Sequence, residues 1–295
     1  MFQYDTAIDP SAENTSHGLL LALVGGGKSV LDLGCATGYL AEALAARGCR
    51  VSGVELVPEA AEKARPFLER LVTGDLNELD LVSAFGPMSF DVLMCGDVLE
   101  HLADPAAVLR RAIPVLAPGG SVVISIPNVA HGSIRLALLQ GRWQYTETGL
   151  LDRTHLRFFT LRALDELLAA AGLVAVDVRR TTADPLGVEV AIDEEDLPPG
   201  VVDWVRSRPE ALTYQFVVRA VVDDADAAIT RLARRATATE GELQSVERQL
   251  DGERNRRLSL EQDLARLRMT PAFTLLDRPR RWYARIRRAS RKVVS

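Results

Sequence analysis

The residues best suited to chemistry lie in one short run. Val30-Leu31-Asp32-Leu33-Gly34-Cys35-Ala36-Thr37-Gly38 reads as an apolar strand passing into a glycine-bearing turn and then a helix. Glycine at such a turn opens backbone conformations closed to other residues and lets a ligand approach the main chain. The helix start behind it offers free N–H groups. Glu55 follows Gly38 by seventeen residues and ends a second strand, with Leu56 beside it. A carboxylate there can accept both hydroxyls of a ribose. For the loop alone, a structural turn in some other α/β protein is the competing reading; strand, loop, helix and strand-end acid in register favour a nucleoside site.

The spacing is not that of a dinucleotide fingerprint. GxGxxG needs glycine at 34, 36 and 39, and the chain has Gly34, Ala36 and Tyr39. A short GxAxG loop suits a nucleoside with no pyrophosphate to cradle, which disfavours an NAD-dependent dehydrogenase. Asp32, just before the turn, suits a cationic amino acid or sulfonium group. Gly74-Asp75-Leu76 follows a third strand, where the carboxylate can accept from an adenine amine while Leu76 stacks on the ring; a turn or cap role is the alternative for Asp75. The Gly96-Asp97 turn lies past a fourth strand, outside the carboxyl ends where open α/β sheets bind ligands.

Candidate bases are His101, His131 and His155. His155 lies in Leu151-Asp152-Arg153-Thr154-His155-Leu156-Arg157-Phe158-Phe159, and Asp152 can pair with its imidazole, fixing the tautomer and raising basicity. The competing reading makes Arg153 and Arg157 structural and His155 a helix cap. Asp97, Glu100 and His101 have one-turn spacing, but no fourth ligand is identifiable, so no metal is assigned. Trp143, Tyr145, Phe158 and Phe159 can wall an acceptor pocket or pack in the core. Asn128 is placed to orient an acceptor hydroxyl.

These residues need a scaffold. The pattern predicts strands at Ser29–Leu33, Val51–Glu55, Leu71–Thr73, Phe90–Cys95, Ser121–Ile126, Val174–Val178 and Tyr214–Val222. Helices are expected through Leu19–Val24, Tyr39–Arg47, Ala106–Val115 and Leu161–Ala171, with Pro118-Gly119-Gly120 closing the third. Alternating strands and helices imply a mostly parallel sheet covered on both faces. His131–Thr160 reads as loose, and Thr181–Glu210 as a Pro- and acid-rich excursion. Beyond Ala227, Ile229, Leu232, Ala236, Thr239, Leu243, Val246, Leu250, Glu253, Arg257, Leu260, Leu264 and Leu267 alternate spacings of three and four. Nine of these twelve positions are apolar, which predicts a coiled-coil-like helix that Glu253 and Arg257 weaken. A single amphipathic helix folded back on the domain is the alternative. The expected division is a lead-in over 1–28, a catalytic domain over 29–222, a coiled-coil helix over 223–268 and a basic tail over 269–295.

The 295 residues carry a formal charge of −5, unevenly spread. From Thr270 to Ser295 there are eight Lys/Arg and one Asp, a balance of +7 that leaves −12 for the remainder. An acidic body argues against nucleic acid as a partner. Cys35, Cys49 and Cys95 are scattered without zinc-ligand spacing, which suggests a reduced, cytoplasmic chain. No secretory signal is evident, and Gly18–Val24 is too short to span a bilayer.

VLDLGCATG, GVE, GD, FDVLMCGDVLEHLADP and LAPGGSVVISIPN together resemble the motifs of class I S-adenosylmethionine-dependent methyltransferases, over about Thr15 to Val222. Within that class the chain is most similar to the group containing ubiquinone-biosynthesis O-methyltransferases and many methyltransferases of bacterial glycan and secondary-metabolite clusters. The resemblance implies a Rossmann-like α/β fold with seven strands in the order 3-2-1-4-5-7-6, strand seven antiparallel. It implies S-adenosyl-L-methionine as cofactor, held by Asp32, Gly34, Cys35, Ala36, Gly38, Glu55, Leu56, Asp75, Leu76, Gly96 and Asp97. Ala36 stands where a third glycine is common, a mild departure. It also places the acceptor pocket between strand five and the next helix, with His155 and Asp152 as catalytic candidates. The expected activity is O-methylation of a small-molecule or glycan hydroxyl. N- or C-methylation, or a catalytically idle scaffold acting through its coiled coil, are the alternatives. Residues 229–267 suggest a homo-oligomer. The basic tail 270–295, with Trp282, Tyr283 and Ile286 among its arginines, suggests peripheral contact with the inner face of a membrane.

Overall fold

The structure, a computed structural model, describes residues 12–224 and 250–266. The chain divides into two compact units, Met1–Leu232 and Ala233–Ser295. In the first, elements run α1 (Ser16–Val24), β1 (Ser29–Leu33), α2 (Tyr39–Ala45), β2 (Arg50–Glu55), α3 (Pro58–Ala64), β3 (Arg70–Thr73), α4 (Leu81–Phe85) and β4 (Phe90–Gly96). They continue with α5 (Pro105–Ala112), β5 (Leu116–Pro127), α6 (Gly132–Leu139), α7 (Leu161–Ala170), β6 (Leu173–Thr182), α8 (Val201–Arg206) and β7 (Thr213–Val222).

The seven strands form one sheet in the order β3-β2-β1-β4-β5-β7-β6. β1 to β5 pair in parallel, and β7 runs antiparallel between β5 and β6. Successive side chains alternate between two core layers, as strand geometry requires. Leu93 and Cys95 of β4, Ile124 of β5 and Phe216 of β7 face the layer that also takes Leu109 of α5 and Leu164 of α7. Val92 and Met94, Val123 and Val217 face the other, with Leu20 and Leu21 of α1 and Leu40 and Leu44 of α2. Helices therefore cover both faces, which frees the C-terminal strand ends to build a site.

Local chemistry fixes the helix limits. Asp104 caps α5 by accepting from the Ala107 N–H, with Pro105 at the first position. Thr160 caps α7 by accepting from the Ala163 N–H, and Leu164, Leu167 and Leu168 form its buried stripe.

Two expectations change here. Pro118-Gly119-Gly120 does not stand between helix and strand: β5 already begins at Leu116, and its pairing with β4 slips between Phe90 and Val92. The run is a bulge inside the strand, with Gly119 at φ +74°. The segment after Asn128 is not loose throughout either. His131 caps α6 by accepting from the Ser133 N–H, and Ile134, Leu136 and Ala137 are buried.

The described part of the second unit is a helix over 250–266. Leu250, Leu260 and Leu264 are each more than half exposed, at 51%, 58% and 54%. The rest of the predicted coiled coil and the basic tail lie outside the described residues. Among the described residues no helix is long and apolar enough to cross a membrane.

Candidate functional site

A cavity of about 840 Å³ opens at the C-terminal ends of β1, β2 and β4. The strand order reverses between β1 and β4, the place where open α/β sheets bind ligands. At its centre is the turn after β1. Gly34 sits at φ +86°, and a Cβ there would lie 2.6 Å from Val98 Cγ2, so only glycine lets the two strand ends approach. The N–H groups of Gly34 and Cys35 both donate to the Val54 carbonyl, at 2.8 and 2.9 Å. Ala36 adopts φ +46°, a left-handed conformation that strains an alanine.

Glu55 locks the turn to the second strand. One carboxylate oxygen accepts from the Ala36 N–H at 2.8 Å and the other from the Val57 N–H at 2.9 Å. Each oxygen keeps a lone pair for a further donor. Behind the turn lies Asp32, 1% exposed, with Oδ2 lacking a hydrogen-bond partner. Burial, reinforced by the Glu55 charge, pushes its carboxyl up to about 8. Beyond β3, Asp75 Oδ1 accepts from the Asn77 N–H and side-chain amide at 2.8 and 2.9 Å. Arg111 donates to the Leu76 and Asn77 carbonyls and braces the same turn.

Past β4, Asp97 is held at φ +54°. Its Oδ1 accepts from Ser125 Oγ at 2.7 Å and from Gln215 Nε2 at 3.0 Å. Glu100 follows, 1% exposed, on the cavity wall, and neither carboxyl oxygen has a hydrogen-bond partner. Burial first, then Asp97, raises its carboxyl well above the ordinary range. The Glu100 carbonyl accepts from the Leu156 and Arg157 N–H groups at 2.8 and 3.0 Å. This draws the 154–157 loop over the turn and sets the His101 and His155 rings edge to face, 4.9 Å apart. Ligand atoms of Glu100, His101 and His155 all lie within 4.8 Å of one another, a grouping able to pass protons or to hold a cation. Burial and the neighbouring His101 lower the His155 pKa.

The opposite wall includes Thr148, Gly149 and Tyr214. Glu189, from the excursion after β6, accepts from the Leu150 N–H at 2.6 Å and from the Tyr214 hydroxyl at 2.9 Å. Gly149, at φ +93°, is required there, because a Cβ would collide with the Glu189 carboxylate.

Residues 10–178 match the family model described as a methyltransferase domain. The chain belongs to the class I S-adenosylmethionine-dependent methyltransferases. Among similar proteins are two named ubiquinone biosynthesis O-methyltransferase. The one from Psychrobacter arcticus is 34% identical over 168 residues, covering 54% of this chain and 64% of that protein. The one from Paraburkholderia phymatum is 36% identical over 165 residues, covering 54% and 70%. The chain thus spans about two thirds of these relatives' length. Among solved structures, the CcbJ methyltransferase from Streptomyces caelestis covers 75% of this chain and 95% of its own, with 20% identity and a TM-score of 0.49.

In this methyltransferase the cavity gathers Gly34, Ala36, Glu55, Leu56, Asp75, Leu76, Gly96 and Asp97, together with Asp152 and His155. Asp32, Cys35 and Gly38 stand outside its wall. Asp152 and His155 do not share the expected hydrogen bond: Asp152 Oδ1 accepts from the Thr154 N–H and hydroxyl at 2.8 and 2.7 Å, and the His155 ring bonds the Leu150 carbonyl. Two expectations fail on burial. Asn128 is fully buried, its amide donating to the Glu210 and Thr213 carbonyls. His131 is likewise buried, and its Nε2 donates to the Ala183 carbonyl. Trp143 and Phe158 pack edge to face at 5.4 Å, and Phe159 joins the core; none lines the cavity, and neither does Tyr145. Sequence reasoning missed His17, Tyr39, Thr148, Tyr214 and Gln215, all on the wall. A strand predicted at Tyr214 that ends beside β5 was the available signal for the last two.

Proposed function

We propose that the cavity holds S-adenosylmethionine along the strand ends and O-methylates a hydroxyl of a small-molecule acceptor. Glu55 receives the ribose, Asp75 and Leu76 the adenine, and the Gly96-Asp97 turn the amino-acid end; the Gly34–Gly38 turn passes beneath. The observation that carries the acceptor side is a half-buried His155 imidazole on the wall shared with Glu55 and Asp75. The names of the similar proteins agree with an O-methyl product.

The donor supplies a sulfonium-activated methyl group, so positioning supplies most of the acceleration. His155 takes the acceptor hydroxyl proton as the oxygen attacks; its lowered pKa leaves the imidazole neutral and ready at neutral pH. His101 and Asp152 set the electrostatics around that proton.

Full-length protein incubated with S-adenosylmethionine and a panel of phenols, catechols and sugars tests this. Formation of S-adenosylhomocysteine with a hydroxyl-methylated product is expected. Donor binding without turnover on any acceptor would favour the idle scaffold, and methylation of amines alone would move the acceptor to nitrogen. Turnover should survive EDTA; its loss would give the Glu100, His101 and His155 group to a cation instead.

For the C-terminal region, the exposed leucines of the 250–266 helix support self-association, and the basic tail supports membrane contact. Flotation with anionic liposomes, with and without residues 270–295, checks the latter; equal recovery would sink it.

A further inference from the structure

Five carboxyl groups line the cavity, and four of them are satisfied within the protein. Glu55, Asp75, Asp97 and Asp152 each accept hydrogen bonds from two groups. The fifth is Glu100, 1% exposed, with both oxygens buried and without a partner. Such an acid is costly unless a proton or a nearby cation compensates it. Among the described residues the wall offers it neither lysine nor arginine.

Glu100 lies where the two halves of the cavity meet. It follows Asp97 by three residues, in the single helical turn Leu99–His101 after β4. Its carboxyl and the His101 and His155 ring nitrogens lie within 4.8 Å of one another. With adenine at Asp75, ribose at Glu55 and the amino-acid end at Asp97, the sulfur that joins the last two stands between Glu55 and Asp97. Its methyl group must face the hydroxyl beside His155, which brings the transferred carbon to the Glu100 side of the wall. A sulfonium has no N–H or O–H to donate, so charge must recognise it. Glu100 is shielded from water, where a neighbouring charge is felt most strongly.

In the empty cavity burial first, then Asp97 and Asp152, hold the Glu100 carboxyl well above the ordinary range, so it keeps its proton. A cation beside it shifts the balance toward the carboxylate.

We propose that Glu100 is the counter-ion of the donor's sulfonium and the final holder of the proton that His155 takes from the acceptor. The assignment rests on the donor placement and the base proposed above. The step balances without solvent. The acceptor oxygen bonds to the methyl carbon, and the carbon–sulfur bond breaks with its electron pair going to sulfur. The hydroxyl proton passes through His155 to the Glu100 carboxylate. Cation and carboxylate disappear together, so no charge is stranded in the product state.

Binding calorimetry without acceptor, in the presence of EDTA, tests it. S-adenosylmethionine and S-adenosylhomocysteine differ by one methyl group and one positive charge. Titrations in buffers of different ionisation enthalpy at about pH 7.5, above the ordinary imidazole range, count the protons exchanged. With wild-type protein the first ligand should release about one proton more than the second. Its affinity relative to the second should therefore rise with pH, by up to about tenfold per unit. Glu100→Gln should abolish the difference in release and flatten that rise. Asp32→Asn, which removes another carboxyl raised to about 8, should keep both. Equal release by the two ligands from wild type would overturn the proposal. So would a difference that persists in Glu100→Gln or vanishes in Asp32→Asn. Wild-type protein that binds neither ligand would instead sink the donor placement.

Discussion

The two halves of the cavity are built by different means. The donor half is made at strand ends, where the chain turns within a few residues: Gly34 after β1, Glu55 at the end of β2, Asp75 after β3. Its hydrogen bonds are mostly backbone to backbone or carboxylate to nearby N–H. The acceptor half is assembled from segments distant in sequence. The Glu100 carbonyl holds the 154–157 loop, Glu189 ties Leu150 to Tyr214, and Gln215 joins this wall to Asp97 on the donor side across 118 positions. A strand-end turn can serve one ligand shape in many proteins. A wall tied by side chains can be rebuilt by changing a few of them, which is why the proposed function puts acceptor choice there.

Four substitutions probe that contrast. His155→Ala should have the largest effect, lowering kcat on a hydroxyl acceptor by roughly 10²–10⁴ while leaving S-adenosylhomocysteine affinity intact; a parallel loss of donor affinity would erase the boundary between the halves. In the wild type, kcat should rise with pH and level off, because the base must be unprotonated. Its inflection should fall below the ordinary imidazole value of 6.5, since burial and His101 lower the His155 pKa. An inflection above that value would argue that another group takes the proton.

Next comes the donor half. Glu55→Gln keeps one acceptor oxygen but replaces the other with an amide donor that opposes an N–H. Donor affinity should fall on the order of 10- to 100-fold, read by calorimetry, with a lower melting temperature as the turn loosens. Glu189→Ala frees both the Leu150 N–H and the Tyr214 hydroxyl. Acceptor KM should rise about tenfold with donor affinity unchanged, and an unchanged acceptor profile would show that the wall holds without this tie. Ala36→Gly should have the smallest effect. It relieves a left-handed alanine at the cost of backbone entropy, for a net stabilisation of roughly 0.5 kcal/mol and a rise of about 1–2 °C in Tm.

What the sequence revealed follows the same division. Ser29–Leu33 coincides with β1, and Glu55, Asp75 and Asp97 all reach the wall, because strand, turn and acid are neighbours and periodicity locates them. The short helices α3, α4 and α8 escaped notice, since five to seven residues give too little pattern. Asn128 and His131 misled for a different reason. Polar residues beside a predicted pocket read as functional, yet buried carbonyls and N–H groups also need partners, and here that need claimed both. Tyr214 and Gln215 were visible only as part of a strand, because which strand end faces the cavity depends on where β7 enters the sheet.

That entry has a consequence for the order in which the molecule matures. Among the described residues β7 is the last strand made, yet it lies between β5 and β6 and supplies both the Asp97 contact and the Tyr214 wall. A nascent chain that has emerged only through β6 can assemble β1 to β5 and the strand-end turns, but it exposes the edge of β5 and lacks Tyr214 and Gln215 on the cavity wall. The glycine turn and its Glu55 lock can therefore form before the wall is complete, and loss of β7 would leave that turn in place while removing Tyr214 and the Gln215 contact to Asp97.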